Sequence, residues 1–294
     1  MTIVYQRNRA YILQVGEIKS DEGWVIENNL NIRFDVTKTT NNKDKQNSAI
    51  IEIYNLSRDK QKWLEQDYIG VVLSAGYLDT TVKRLFSGQA TKVTTRKSGA
   101  DVITQIQVGG NYVELNHRTV NKFVAPGQTI KGAIEQLLDE IPGVERSVFN
   151  GLNINSQVID GYPLSGTPRQ QLDEISRAYQ IDYHITNNVA YFYDSNGTST
   201  DDLTTAFVIS KDTGMIELPY AASGDVRQTR KDIKKKPRVI VKTLLNPEII
   251  PGSIVKVEDL NFGGYYKVVE IRTYGEYRGN DWASDLMLEV KVKV

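Results

Sequence analysis

The sequence contains no cysteine, which removes disulfide frameworks, thiolate metal sites, iron–sulfur clusters and cysteine nucleophiles together. Histidine is almost as scarce, with only His117 and His184, so a histidine-rich metal site is not expected and a Ser-His-Asp arrangement could use only one of these two. There is no net charge, 36 basic side chains facing 36 acidic ones, so no global field gathers nucleic acid or an anionic membrane. Apolar runs are a few residues long, far short of the ~20 that span a bilayer. The opening Met1-Thr-Ile-Val-Tyr-Gln-Arg lacks the apolar core of a signal peptide, so the expectation is a protein without a membrane segment or cleaved leader. With 40% hydrophobic and 24% charged residues among 294, the composition is that of a globular chain long enough for about two domains.

What is present is organised by period. Up to about residue 125 the period is two: in Asn31-Ile-Arg-Phe-Asp-Val-Thr, residues Ile32, Phe34 and Val36 share one face, as in a half-buried strand. Similar strands fit Ala10–Val15, Ser48–Tyr54, Gly70–Gly76, Thr81–Arg96 and Asp101–Val108. The last two make a long hairpin around Lys97-Ser-Gly-Ala, where Gly99 supplies a positive φ. One short helix is expected after Ser57, whose hydroxyl is placed to cap it, with Asp59 favourable against the helix dipole.

At Pro126-Gly127 the period becomes helical. Ile130, Ala133, Ile134, Leu137, Leu138 and Ile141 form one stripe that stops at Pro142-Gly143. A second helix starts at Thr167, with Pro168 at its first position and Gln170 completing a capping box, and buries Leu172, Ile175 and Tyr179. Ile181–Thr186 and Val189–Tyr193 then form a hairpin closed by Asn187-Asn188. From about residue 200 strands return at Thr204–Ser210, Arg238–Leu244, Ser253–Glu258, Tyr265–Thr273 and Asp285–Val294. Net charge follows the same divisions, at +4 over 1–125, −5 over 126–199 and +1 over 200–294. The expected organisation is a first β domain over 1–125, an inserted α+β domain over 126–199 and a second β-barrel domain over 200–294, mainly β overall.

Chemistry-bearing residues are few. In Asp182-Tyr-His-Ile, strand alternation sets Tyr183 and Ile185 on one face and Asp182 with His184 on the other. His184 is read as a solvent-facing strand residue. His117, in Leu115-Asn-His-Arg118, is read as lying at a strand end without a catalytic role. The adjacent carboxylates Asp139-Glu140, Asp173-Glu174, Asp201-Asp202 and Glu258-Asp259 point in different directions on helix or strand, unlike a pair spanning a glycosidase cleft. Gly109-Gly110 and Gly263-Gly264 lack the strand–loop–helix setting that cradles phosphate. No catalytic, cofactor-binding or metal-ligating residues are assigned, and no cofactor or small-molecule substrate is implied. The run Arg227–Arg238 carries a net charge of +6 without an aromatic to stack bases. It reads as a solvated connection or a contact for an acidic protein partner. Sixteen tyrosines against seven phenylalanines suit rings half buried at interfaces, or strand propensity alone.

The run Ile32-Arg-Phe-Asp-Val-Thr-Lys-Thr-Thr, a polar loop, and Ala49-Ile-Ile-Glu-Ile-Tyr-Asn-Leu-Ser57 resembles the opening of central baseplate hub proteins of tailed bacteriophages, particularly those with contractile tails. Pro126-Gly-Gln-Thr-Ile, Pro168-Arg-Gln-Gln-Leu and Pro251-Gly-Ser-Ile-Val-Lys-Val continue the similarity in order. The resemblance implies two tail-tube-like β-barrel domains per chain, forming a pseudohexameric ring in a homotrimer that adapts the six-fold tail tube to the three-fold spike. It also implies a virion location after assembly in the bacterial cytoplasm, and as partners a separate spike protein, the tail tube and other baseplate proteins. Subunit contacts are expected on the Thr81–Val108 hairpin at Leu85, Phe86, Val93, Val102 and Ile106, and a partner contact at Lys234, Lys235 and Lys236. A tail-associated peptidoglycan-binding module, or a cell-wall hydrolase using Asp182 and His184, remains the alternative.

Overall fold

A computed structural model describes residues 8–17, 22–40, 47–66, 69–80, 82–110, 112–141, 144, 146–158, 160–195, 206–222 and 238–290. The first part contains strands β1 (Arg9–Glu17), β2 (Gly23–Glu27), β3 (Ile32–Thr39) and β4 (Ser48–Tyr54), helix α1 (Arg58–Trp63), and strands β5 (Ile69–Tyr77), β6 (Val82–Ser98) and β7 (Asp101–Gly109). The middle holds α2 (Tyr112–His117), β8 (Val120–Val124), α3 (Ile130–Leu138), β9 (Arg146–Asn150), β10 (Tyr162–Gly166), α4 (Pro168–Tyr179), β11 (Ile181–Thr186) and β12 (Val189–Asp194). Strands β13 (Phe207–Ile209), β14 (Tyr220–Ala221), β15 (Arg238–Leu244), β16 (Ile254–Val257), β17 (Gly264–Glu276) and β18 (Trp282–Val290) follow.

Period-two patterning builds one thirteen-stranded sheet, ordered β14-β15-β18-β17-β3-β4-β7-β6-β5-β1-β2, with β16 on β17 and β13 on β16. Its two halves join where β17 pairs with β3, from Glu270 opposite Thr39 to Glu276 opposite Arg33. β17 reaches both because it is long: its first residues pair with β16 and its last with β3. The middle strands form separate small sheets, β10-β8 and β11-β12-β9.

Three apolar cores result. The first gathers Tyr11, Phe34, Ile51, Leu73, Phe86 and Ile106 from β1 to β7, together with Leu245 and Trp282 from the last part of the chain. Trp282 meets Phe34 edge to face at 5.2 Å, and Arg9 donates to the carbonyls of Glu276, Gly279 and Asn280, so the β17–β18 turn is clamped onto the first core. The second core is drawn from residues 115 to 192 and shares no residue with the others; the third joins β13 and β15 to β18.

Local chemistry accounts for the ends. Thr167 accepts from the Gln170 amide while the Gln170 side chain accepts from the Thr167 amide, the reciprocal capping box. Thr129 caps α3 through the Gly132 amide. Asn187 and Asn188 both hold positive φ in the β11–β12 turn, as does Gly99 between β6 and β7. Ser57 departs from expectation. It has the extended conformation of a cap, yet its hydroxyl caps nothing; the Gln61 amide bonds the Ser57 carbonyl and the Gln61 side chain bonds that of Leu56. His117 ends helix α2 rather than a strand. The Pro142-Gly143 stop lies outside the described residues.

Candidate functional site: an open sheet edge and a buried seam

β5 pairs with β6 only from Val82 to Gln89. From Ala90 to Ser98 the strand has β7 on one side and no partner strand on the other among the described residues. Lys92, Thr94, Arg96 and Lys97 are exposed along this stretch. A groove of about 500 Å³ separates it from the end of α1, lined by Gln61, Leu64, Glu65, Thr91, Val93 and Thr95. Of the five expected contact residues, Leu85, Phe86 and Ile106 lie in the chain's own first core, 1%, 3% and 0% exposed. The expectation is corrected for these three: they are spent inside the chain's own core, Leu85 and Phe86 both inward because the β5–β6 register shifts between Phe86 and Arg84. Val93 and Val102 are partly exposed. Lys234, Lys235 and Lys236 lie outside the described residues.

At the far end of the sheet, the chain before and along β14 presents Ile216, Leu218 and Tyr220, each exposed. Between the two ends, a groove of about 430 Å³ crosses the β3–β17 joint, lined by Arg33, Asp35, Glu52, Arg272, Tyr274 and Asp285 among others. Arg272 grips Asp35 through Nε and Nη2, and that bond holds the guanidinium proton still more tightly. Arg96 likewise meets Glu52 at 3.1 Å. Burial raises the Asp285 carboxyl above its ordinary value against the pull of Lys242 and Arg272. Among the described residues no cluster of three or more carboxylates or histidines is arranged to hold a metal ion, and no helix is long and apolar enough to cross a membrane.

The middle unit rests on the sheet through β11 and β12. Asn47 donates to the Ile185 carbonyl at 2.7 Å and accepts from the Thr39 amide, and Tyr193 donates to the Thr40 carbonyl at 3.1 Å. Farther along, Asn187 reaches the Arg84 carbonyl. Inside this seam His184 is 0% exposed, stacked on Tyr191 at 4.7 Å and edge-on to Tyr193. This overturns its reading as a solvent-facing residue. Alternation correctly assigns it to the face opposite Tyr183 in the hairpin register, but that face is covered by the β3–β17 joint. Lys38 is buried in the same region, 1% exposed. Neither the Lys38 Nζ nor the His184 Nε2 finds a hydrogen-bond partner among the described residues.

Desolvation governs both groups. It lowers the Lys38 ammonium to about 8; it drives the imidazole down to about 3, with the positive charges of Lys267 and Lys38 adding to the effect. Lys267 lies with its Nζ 4.3 Å from the centre of the Tyr193 ring. Sealed from solvent, His184 has no route to an external substrate, so the acid–base chemistry that Asp182 and His184 would need as a hydrolase site is not available in this arrangement. The sequence carried a missed signal here: Lys38 has the same parity as Ile32, Phe34 and Val36 and so belongs to the apolar face of β3.

The chain matches the family model described as baseplate hub gp41 over residues 12–259. No curated protein sequence is significantly similar to it. Among solved structures it is similar to a tail protein from Neisseria meningitidis MC58, at 13% identity and a TM-score of 0.62, covering 96% of this chain and 97% of that one. It is also similar to the 43 kDa tail protein of prophage MuSo2 from Shewanella oneidensis, at 8% identity and a TM-score of 0.66, with 97% of each chain covered. A type VI secretion component of E. coli, itself described as similar to the T4 tail proteins gp27 and gp5, matches at 11% identity and a TM-score of 0.59 over 90% of this chain and 74% of that one. At such identities the likeness is one of fold.

Proposed function

The chain belongs to the baseplate hub gp41 family, and from that premise we propose that it acts without catalysis, as a homotrimeric ring joining a six-fold tail tube to a three-fold spike. As a hub it is a structural component of the phage tail baseplate. The observation that carries the ring is the sheet itself: one chain contributes two β regions fused through β3 and β17, so three chains supply six such regions. The sheet ends differently on its two sides, with the free stretch of β6 beyond Gln89 and the segment around β14. Unlike edges favour head-to-tail contacts, which close into a ring when the rotation allows. An unpaired strand edge of this kind is a template for another chain.

In this reading the subunit contact uses Val93, Val102 and the polar distal hairpin rather than the buried Leu85, Phe86 and Ile106. The ring meets the tube on one face and a separate spike on the other, in the virion tail, after assembly in the host cytoplasm. Images of the purified protein test it: class averages should show a ring with a central opening and six peripheral β regions in three equivalent pairs. Averages of isolated single chains at micromolar concentration would overturn it.

A further inference from the structure

The middle unit has its own core and its own sheets, and its described hydrogen bonds to the rest of the chain surround a buried aromatic centre. None of its buried apolar residues belongs to either neighbouring core, and none of its strands joins the thirteen-stranded sheet. What holds it down is chiefly the β11–β12 face, through Asn47 to the Ile185 carbonyl and the Thr186 hydroxyl, Tyr193 to the Thr40 carbonyl, and the Asn187–Asn188 turn to Arg84 and Ser87 of β6. A contact that shares no apolar core with either side and surrounds a charge-sensitive centre can be released without unfolding the bodies it joins.

The centre is His184. The Tyr193 hydroxyl gives its proton to the Thr40 carbonyl, so its oxygen faces the His184 Nδ1 at 3.5 Å as an acceptor. That contact favours the tautomer with hydrogen on Nδ1 and leaves the buried Nε2 a bare acceptor. A proton added there has no acceptor of its own among the described residues. The charges that reach the imidazole, Lys38 from β3 and Lys267 from β17, are both positive. The carboxylates of Asp182 on its own strand and Glu289 on β18 act on the neighbouring Tyr193.

We propose that the contact between the middle unit and the sheet is a releasable joint, closed while the His184 imidazole is neutral and opened by its protonation, so that residues 112–195 move as a body while the thirteen-stranded sheet stays intact. The direction follows from linkage. In the closed joint the imidazole takes a proton only near pH 3; once exposed it does so near its ordinary 6.5. The closed form therefore has its full advantage above 6.5. Below that, each further unit of acid shifts the closed-to-open ratio toward open by about tenfold, until the closed-state value is reached.

Because the chain has no cysteine, two spin labels can be placed without background, at Leu152→Cys on the middle unit and Leu78→Cys on the first β region, both exposed positions. Pulsed dipolar spectroscopy is recorded at pH 7.5 and 4.5 on labelled full-length chains diluted into unlabelled protein. A second, longer distance is expected at pH 4.5, reversible on neutralisation, with the far-ultraviolet β signal unchanged. His184→Gln should keep the single short distance at both values, and Lys38→Met, which removes a charge buried under the closed joint and so stabilises the closed form, should move the opening midpoint to lower pH. An unchanged distance in the natural protein at pH 4.5 overturns the proposal. So does opening of His184→Gln alongside it, an unmoved midpoint in Lys38→Met, or loss of the β signal together with the distance change.

Discussion

Replacing Lys38 by methionine should stabilise the protein at neutral pH, against the usual direction of core substitutions. The ammonium is buried without a hydrogen-bond partner among the described residues, and desolvation lowers it from 10.5 to about 8. At about 1.4 kcal/mol per unit, the penalty is about 3 kcal/mol. Below pH 8 both folded and unfolded chains carry the charge and the folded state bears the whole penalty; as pH rises from 8 to 10.5 the folded chain sheds the proton and the penalty disappears. Methionine is flexible and of similar length, so repacking should cost less than about 1.5 kcal/mol. The net expectation is a gain of about 1–3 kcal/mol at pH 7 that shrinks toward zero or reverses near pH 10.5. Urea denaturation followed by tryptophan fluorescence suits the measurement, because Trp24, Trp63 and Trp282 all lie in or against the first core, to which β3 belongs. A loss of about 1 kcal/mol or more at pH 7 would refute the reasoning, since it would mean that the ammonium has a partner worth more than its desolvation.

Tyr193→Phe removes the only described donor to the Thr40 carbonyl from the middle unit and should cost about 1–2 kcal/mol in thermal or chemical denaturation. Thr167→Ala breaks the capping box of α4 and should lower the stability of the middle core by about 1 kcal/mol, read by circular dichroism; adding Gln170→Ala should cost less than its own single effect, because the two bonds act as a unit. Gly275→Ala places a Cβ 2.6 Å from the Trp282 ring and 2.7 Å from the Phe34 ring, and the resulting overpacking should cost about 1–3 kcal/mol in urea denaturation. Asp35→Asn, by contrast, breaks an ion pair with side chains 55% and 37% exposed and should change stability by less than about 1 kcal/mol.

Features decided by close neighbours along the chain are legible in the sequence. The Thr167-Pro168-Gln170 cap, the Asn187-Asn188 turn and the stripe from Ile130 to Leu138 each rest on spacings of a few residues, and the fold contains all three. Strands with a clear period of two agree closely with their alternation, Ser48–Tyr54 and Arg238–Leu244 without any difference. Short strands such as β2, β8 and β10 escape it, because five residues give too few alternations to separate from loop. What the sequence withholds is the partner of each face. Alternation assigns His184 a side of its strand, and nothing local tells that β3 and β17 cover it. The same gap explains the hairpin: Leu85, Phe86 and Ile106 are apolar as expected, but the core that buries them draws also on residues as distant as Tyr11, Leu245 and Trp282. The proposed ring, finally, would lie between chains, and only the family resemblance suggests it in the sequence.

Closure of this chain into a trimeric ring is read from its absolute mass in solution, by light scattering across a dilution series at two salt concentrations. A trimeric ring has a mass of three times 33.2 kDa, persisting on dilution. A mass of 33.2 kDa at every concentration and salt would contradict it.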